Sequence, residues 1–433
     1  MLTVLAILLA VTFTGYRTLR PAENLSRATT PLPSPAEAEA LPYGELGSAP
    51  IIVEGRLRVF AEQRKVWAET PVTATRQVTP HWSFRRWPAE AVGVIGVERP
   101  FLWGGPALVI TKWSDGAVVA LEAATGTVNW QTHVEPDPEE IYRGRRTGGQ
   151  TVYAPEGMFT AVSATDGALV LLVAGRDQLH AYDPRTGAER WAQVFSGTSG
   201  CHRVDWTGET TYVVKDSCAV PANLEVFDAA TGIFLRRWRP AGASAGPDRE
   251  ANWYVQPVSC RLGRSRCQLF RAAATADVVS PVESARGEVG IVAQTYSLSV
   301  TGAIELEQGA TADLTLISGD VRVEPMLNGY VWAHSRSSGA FLWISTRPAL
   351  LLAVDGSSVY LADDDRDIAV VDLHSGRVKI MIDAPERYGD NWLAGFVYNH
   401  NGFLAIERLA STKESDDDTH YYYASSTVLL VGA

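Results

Sequence analysis

An all-β propeller of seven blades is the fold class this sequence predicts, and three observations predict it. A strand–turn–strand unit recurs along the chain. Its turn glycines are spaced to suit four-stranded sheets, and strand signals fill the intervals. The clearest copy is LHAYDPRTGAERW at 179–191. Apolar and polar residues alternate in the first strand, as a half-buried strand requires. Asp183 can turn its carboxylate back onto the turn amides, and Gly187 supplies the left-handed residue that closes the turn. Trp191 then lies in the return strand, large enough to wedge between two packed sheets.

The unit recurs as LEAATGTVNW at 121–130, VFDAATGIFLRRW at 226–238 and WAHSRSSGAFLW at 332–343, with weaker copies at 297–306 and 370–380. The turn glycines Gly126, Gly187, Gly232, Gly302, Gly339 and Gly376 are separated, by subtraction, by 61, 45, 70, 37 and 37 residues. A repeat of roughly 40 residues with strands throughout is the signature of a propeller blade, and the longer intervals leave room for loops. In such a blade the hairpin joins the third and fourth strands. The aromatic of the fourth, here Trp130, Trp191, Trp238 or Trp343, packs against a neighbouring blade.

The pattern (L/A)-x-(A/V)-x-D-x-x-T-G-x-x-x-W resembles the pyrroloquinoline-quinone-like (PQQ-like) β-propeller repeat, which has the quinoprotein alcohol dehydrogenase-like fold. The resemblance covers about 92–383. Glu122 replaces Asp in one copy, the 233–238 segment is longer between Gly and Trp, and 378–380 lacks the Trp. The family contains quinone dehydrogenases and many non-catalytic relatives, so the repeat speaks to fold and hardly to activity.

Taken in order, the chain opens with an apolar, uncharged stretch at 2–16, followed at once by Arg17 and Arg20. Residues 1–20 read as a helical signal anchor or signal peptide. The stretch is short for a span of about 20 residues. The flanking arginines would keep the body in the cytoplasm by the positive-inside rule. The cysteines argue for the other side, and a start codon assigned too far downstream would account for both anomalies. Residues 21–50, rich in Pro, Ala and Glu, read as a disordered linker. The propeller then runs from 51 to 433.

Blades are expected at 82–133, 151–195, 201–239, 252–307, 314–345, 348–383 and 392–431. The last shows three strands, and the N-terminal strands within 51–70 are expected to supply its fourth and leave no sheet edge open. Eight blades is the alternative, because 249–312 is long and irregular.

The chain carries 38 basic and 49 acidic residues, a net charge of −11, and no basic tract able to follow a phosphate backbone. That argues against nucleic-acid binding. With four Cys and 13 Trp among 433 residues, this is a packed-core protein. Local pairing gives Cys201–Cys218 and Cys260–Cys267, the second with Gly263 placed for a turn. Zinc is the alternative, although neither pair has C-x-x-C spacing. Free buried thiols are the reading if the protein is cytosolic.

Quinone dehydrogenases use adjacent cysteines, a Trp stacked on the cofactor, and a calcium ion beside a catalytic Asp. No adjacent cysteines occur here, and blade packing accounts for the repeat tryptophans, so no cofactor is expected. The acidic run 363–367 could hold calcium, but it lacks the D-x-D-x-D-G spacing and reads as a solvated hairpin tip. A second run at 416–418 reads as a polar loop. No G-x-S-x-G, H-E-x-x-H or P-loop pattern occurs. Long connections at 135–150, 241–249 and 383–391 interrupt the repeats, and loops on a propeller rim are where such folds bind. Tyr142, Arg143, Arg145 and Arg146 form a candidate contact surface there.

These readings point to a propeller tethered to the cell membrane, its body on the extracytoplasmic side, or secreted if the N-terminal segment is cleaved. The expected role is a scaffold or sensor module that binds a protein or a cell-envelope component. The alternative, from another class, is an extracytoplasmic enzyme, a quinone-dependent dehydrogenase or a hydrolase with a site built from rim loops.

Overall fold

Eight antiparallel sheets account for the strands among the described residues of the computed structural model. The description covers 22–432 apart from 38, 74–78, 99–104, 144–154, 156, 196–200, 220–221, 241–252, 262, 275–293, 307–314, 384–391, 401 and 410–427. Strand β1 (Ala22–Ser26) and strand β2 (Pro42–Leu46) precede a meander of β3 (Ile51–Val53), β4 (Leu57–Glu62), β5 (Lys65–Glu69) and β6 (Trp82–Trp87). That meander is blade 1. Blades 2 to 7 follow as four-stranded meanders at 91–133, 158–194, 202–238, 253–306, 316–344 and 350–382. Blade 8 takes three strands from 393–432 and its outermost strand from β2. Innermost strands meet between blades 1 and 2, 3 and 4, 6 and 7, 7 and 8, and 8 and 1, so the last blade joins the first.

The count is therefore eight and not seven. The additional blade is 51–87, whose strands were expected to complete the last blade. Trp82–Trp87 belongs with them and not with the following sheet. Closure does use an N-terminal strand, but that strand is β2, which pairs with Val428–Gly432. Both β1 and β2 lie in the stretch expected to be a disordered linker. The reason is local: Leu25, Leu32, Ala36 and Tyr43 find an apolar surface on blade 1 and its neighbours, which composition does not reveal. The expected anchor, 1–20, lies outside the described residues. Among the described residues no helix is long and apolar enough to cross a membrane.

Burial follows position in the blade. The second and third strands are covered on both faces by adjacent blades, so Leu108–Trp113 is buried throughout, Thr111 and Lys112 included. Outer strands such as Val128–His133 bury only the residue that faces the next blade. In blade 2 that residue is Trp130, whose indole donates to the Pro184 carbonyl at 3.0 Å in the turn of blade 3. Trp82 reaches Ala123 at 2.7 Å, Trp191 reaches Ala229 at 3.2 Å and Trp343 reaches Leu373 at 2.8 Å. At these four junctions the repeat is thus a contact between blades: the Trp of one docks on the glycine turn of the next.

The turns that open on Asp are tied by that acid, whereas Ser299 and Ser335 take its place in two others. The Asp183 carboxylate accepts from the amides of Arg185 (2.9 Å) and Thr186 (3.1 Å), and the Gly187 amide donates to the Asp183 carbonyl at 2.9 Å. Gly126, Gly187, Gly232, Gly302, Gly339 and Gly376 all have positive φ. A Cβ on Gly187 would stand 2.7 Å from the Trp130 ring. Trp238 departs from the scheme. Leu235 packs on Gly302 in its place, while Trp238 meets Phe270 and Tyr296 edge-on at 5.2 Å and 4.8 Å. Trp82, which sequence reasoning passed over, is a docking residue. The signal was its spacing to the turn of the following blade rather than to a turn of its own.

Candidate binding rim

The connection leaving blade 2 does not run directly to blade 3. It turns across the face where blades join one another, and three anchors hold it. The Val134 amide donates to the Gly116 carbonyl at 2.9 Å, and the Arg176 amide donates to the Glu135 carbonyl at 3.3 Å, which ties the segment to blades 2 and 3. Next, Asp137 caps a short turn by accepting from the Glu139 amide at 2.9 Å. That turn delivers Glu140 to Lys112, and the Lys112 ammonium donates to the Glu140 carboxylate at 2.6 Å and to the Ala174 carbonyl at 2.6 Å.

Lys112 sits on a central strand and is buried. Burial pulls its pKa down and pushes that of Glu140 up, and their mutual attraction opposes both shifts. A pair of this kind costs most when one partner is removed and the other charge is left behind. Gly157 faces the Glu140 carboxylate with no room for a Cβ.

Tyr142 is the third anchor. Its amide donates to Glu90 at 3.1 Å, and its hydroxyl donates to the Ala61 carbonyl of blade 1 at 3.2 Å. Of the four residues expected on this rim, Tyr142 therefore fastens the loop and Arg143 follows half-buried. Arg145 and Arg146 lie outside the described residues. Between the anchors the loop turns Ile141 to solvent, 56% exposed, beside the acidic Glu139. Sequence reasoning missed Lys112, Glu140 and Ile141. A lysine inside an otherwise apolar strand was the available signal.

Both cysteine pairs are joined. Cys201–Cys218 ties the start of the first strand of blade 4 to the end of its second, with Cα atoms 5.2 Å apart. Cys260–Cys267, with Cα atoms 3.7 Å apart, closes a loop at the opposite end of blade 5. That loop reaches well beyond its own blade. Ser265 accepts from the Thr160 amide of blade 3 at 3.1 Å, and Arg264 and Arg266 pair with Asp205 and Glu209 of blade 4. The Ser259 hydroxyl accepts from the Ile317 amide of blade 6 at 2.9 Å.

The acidic run 363–367 is a turn tied from within. Asp363 is buried, accepts from the amides of Asp365 (3.1 Å) and Asp367 (3.0 Å), and pairs with Arg347 at 3.1 Å. Among the described residues no group of three or more His, Cys, Asp or Glu is placed to hold a metal. The runs at 241–249 and 416–418 lie outside the described residues.

Eight four- or five-stranded sheets in a closed ring define the class: the chain is an eight-bladed β-propeller, similar over part of its length to the PQQ-like repeat family. The family described as outer membrane protein assembly factor BamB matches residues 40–170 and 143–252. The outer membrane protein assembly factor BamB of Burkholderia pseudomallei (strain K96243) is 29% identical over 202 residues, which is 46% of this chain and 46% of that protein. The match thus spans less than half the length of that curated relative. Among solved structures, BamB from Moraxella catarrhalis is 13% identical with a TM-score of 0.42, covering 94% of this chain and 99% of that one. The computationally designed Ika8 protein is 12% identical with a TM-score of 0.47, covering 91% and 100%.

Proposed function

We propose that this propeller is an extracytoplasmic, membrane-tethered scaffold that binds protein partners of an outer-membrane assembly machinery. The reading draws on the similarity to an assembly factor and on the two disulfides, which suit an oxidising compartment. The observation that carries it is the loop at 134–143. Anchors on three blades hold it in place, and it spends that fixation on presenting Ile141 and Arg143 at a rim. A pre-ordered loop loses little freedom on binding, which favours recognition over mere connection.

The test is co-purification from detergent-solubilised envelopes. Ile141→Asp with Arg143→Glu, neither of which is itself an anchor, should leave the melting temperature unchanged and abolish retention of the assembly partners. Undiminished retention of the same partners, or no loss of outer-membrane β-barrel proteins when the chain is absent, would overturn the assignment.

A further inference from the structure

Blade 1 differs from the other seven in having a fifth strand. β1 lies antiparallel on the outer edge of β6, with Glu23 opposite Arg86 and Leu25 opposite Phe84. Ring closure does not need it, because β2 supplies the missing strand of blade 8. β1 also buries little: four of its five residues are exposed, and Leu25 alone is half-buried. It is held mainly by the backbone ladder and by the Glu23 carboxylate on Arg86.

We propose that this edge is a docking site for an extended segment of a protein partner that carries a carboxylate two residues before an apolar side chain, and that β1 occupies it in cis. The edge carries the complementary charge. Arg86, 8% exposed, also pairs with Asp115 at 2.7 Å, so it keeps one carboxylate when Glu23 leaves and offers a place for another. Arg85 is exposed beside it. Arg64 lies over the Trp87 ring at 4.1 Å and Lys65 over Trp67 at 4.3 Å. Arg85, Arg86 and Trp87 thus lie on the edge strand itself, with Arg64 stacked on Trp87 and Lys65 and Trp67 one strand inward, in a chain whose net charge is −11.

Strand addition supplies affinity through main-chain hydrogen bonds and selectivity through alternate side chains. The fitting segment places a carboxylate opposite Arg86 and an apolar side chain two residues on, opposite Phe84, as Glu23 and Leu25 do. The site is separate from the loop at 134–143, and it stands or falls independently of the rim reading.

The experiment uses the full chain with Asn24→Pro and Leu25→Pro, which removes ladder donors and detaches β1. The probe is a fluorescent peptide of sequence PAENLSRATT. The variant should bind it roughly tenfold or more tighter than the wild type, whose tethered strand competes at high effective concentration. A peptide with Arg in place of its Glu should lose that gain. Hydrogen exchange at 83–87 should rise in the variant and fall again with peptide.

Should the double variant fail to fold, Glu23→Arg in the full chain serves for the same measurements. Absence of peptide binding while 83–87 exchanges freely would overturn the proposal. So would wild-type β1 amides that exchange only with global unfolding. A concentration-dependent dimer that the variant abolishes would assign the edge to a second copy and overturn it likewise.

Discussion

Gly187 and Gly339 share a φ of 69° and differ in what stands above them. Trp130 covers Gly187, whereas nothing lies within 4 Å of a Cβ built on Gly339. Alanine at either position incurs backbone strain of about 1–3 kcal/mol. At Gly187 the clash with the indole should add about 1–3 kcal/mol more. Urea unfolding of the two variants should show that difference, and equal midpoints would refute the docking scheme. Trp130→Ala, which deletes the other half of the contact, should cost about 3–5 kcal/mol. A third turn lends itself to a pH test. Amide and hydroxyl hydrogen bonds from Ser375 hold the Asp372 carboxyl well below the usual carboxylate range. A depressed native pKa contributes stability above the unfolded value of about 3.9 and loses it as pH falls through the native one. Asp372→Asn should therefore show a shallower fall in melting temperature between about pH 4 and pH 2.

Among the elements, the disulfide-closed loop at 260–267 reaches far, because it touches blades 3 and 4 from blade 5 while Ser259 just before it touches blade 6. The chain-entropy model gives about 2.5 kcal/mol for a loop of this length and about 3 kcal/mol for the one closed by Cys201–Cys218. Cys260→Ala with Cys267→Ala should cost more than its entropic share, since these contacts to other blades loosen with it. Calorimetry of the two paired variants checks the order: the shorter loop is expected to be the costlier loss. The pairing itself was legible from spacing, but the reach of the loop was not, because Asp205, Glu209 and Thr160 are remote in the chain. The same limit explains blade 1. Its outer hairpin has no D-x-x-T-G turn, so counting that motif passes over it. The rim suffered similarly: Tyr142 stood out as a contact residue, yet its hydroxyl serves Ala61, 81 positions earlier.

The whole ring depends on one pairing of the chain's two ends. Deleting Pro42–Leu46 should leave Val428–Gly432 as an open edge and lower the melting temperature far more than detaching β1, which leaves every blade with four strands. A small effect of the first deletion would show that the ring closes by other means. The pairing also orders events in time. β2 leaves the ribosome well before its partner Val428–Gly432, because the two pair across almost the whole propeller. At about 5–20 residues per second, roughly 20–80 s of synthesis separate them. Throughout that interval the early strand is a single, unsatisfied ribbon, and blade 8 cannot be completed. A protein built this way carries an outer strand without its ladder partner until its last blade has been made.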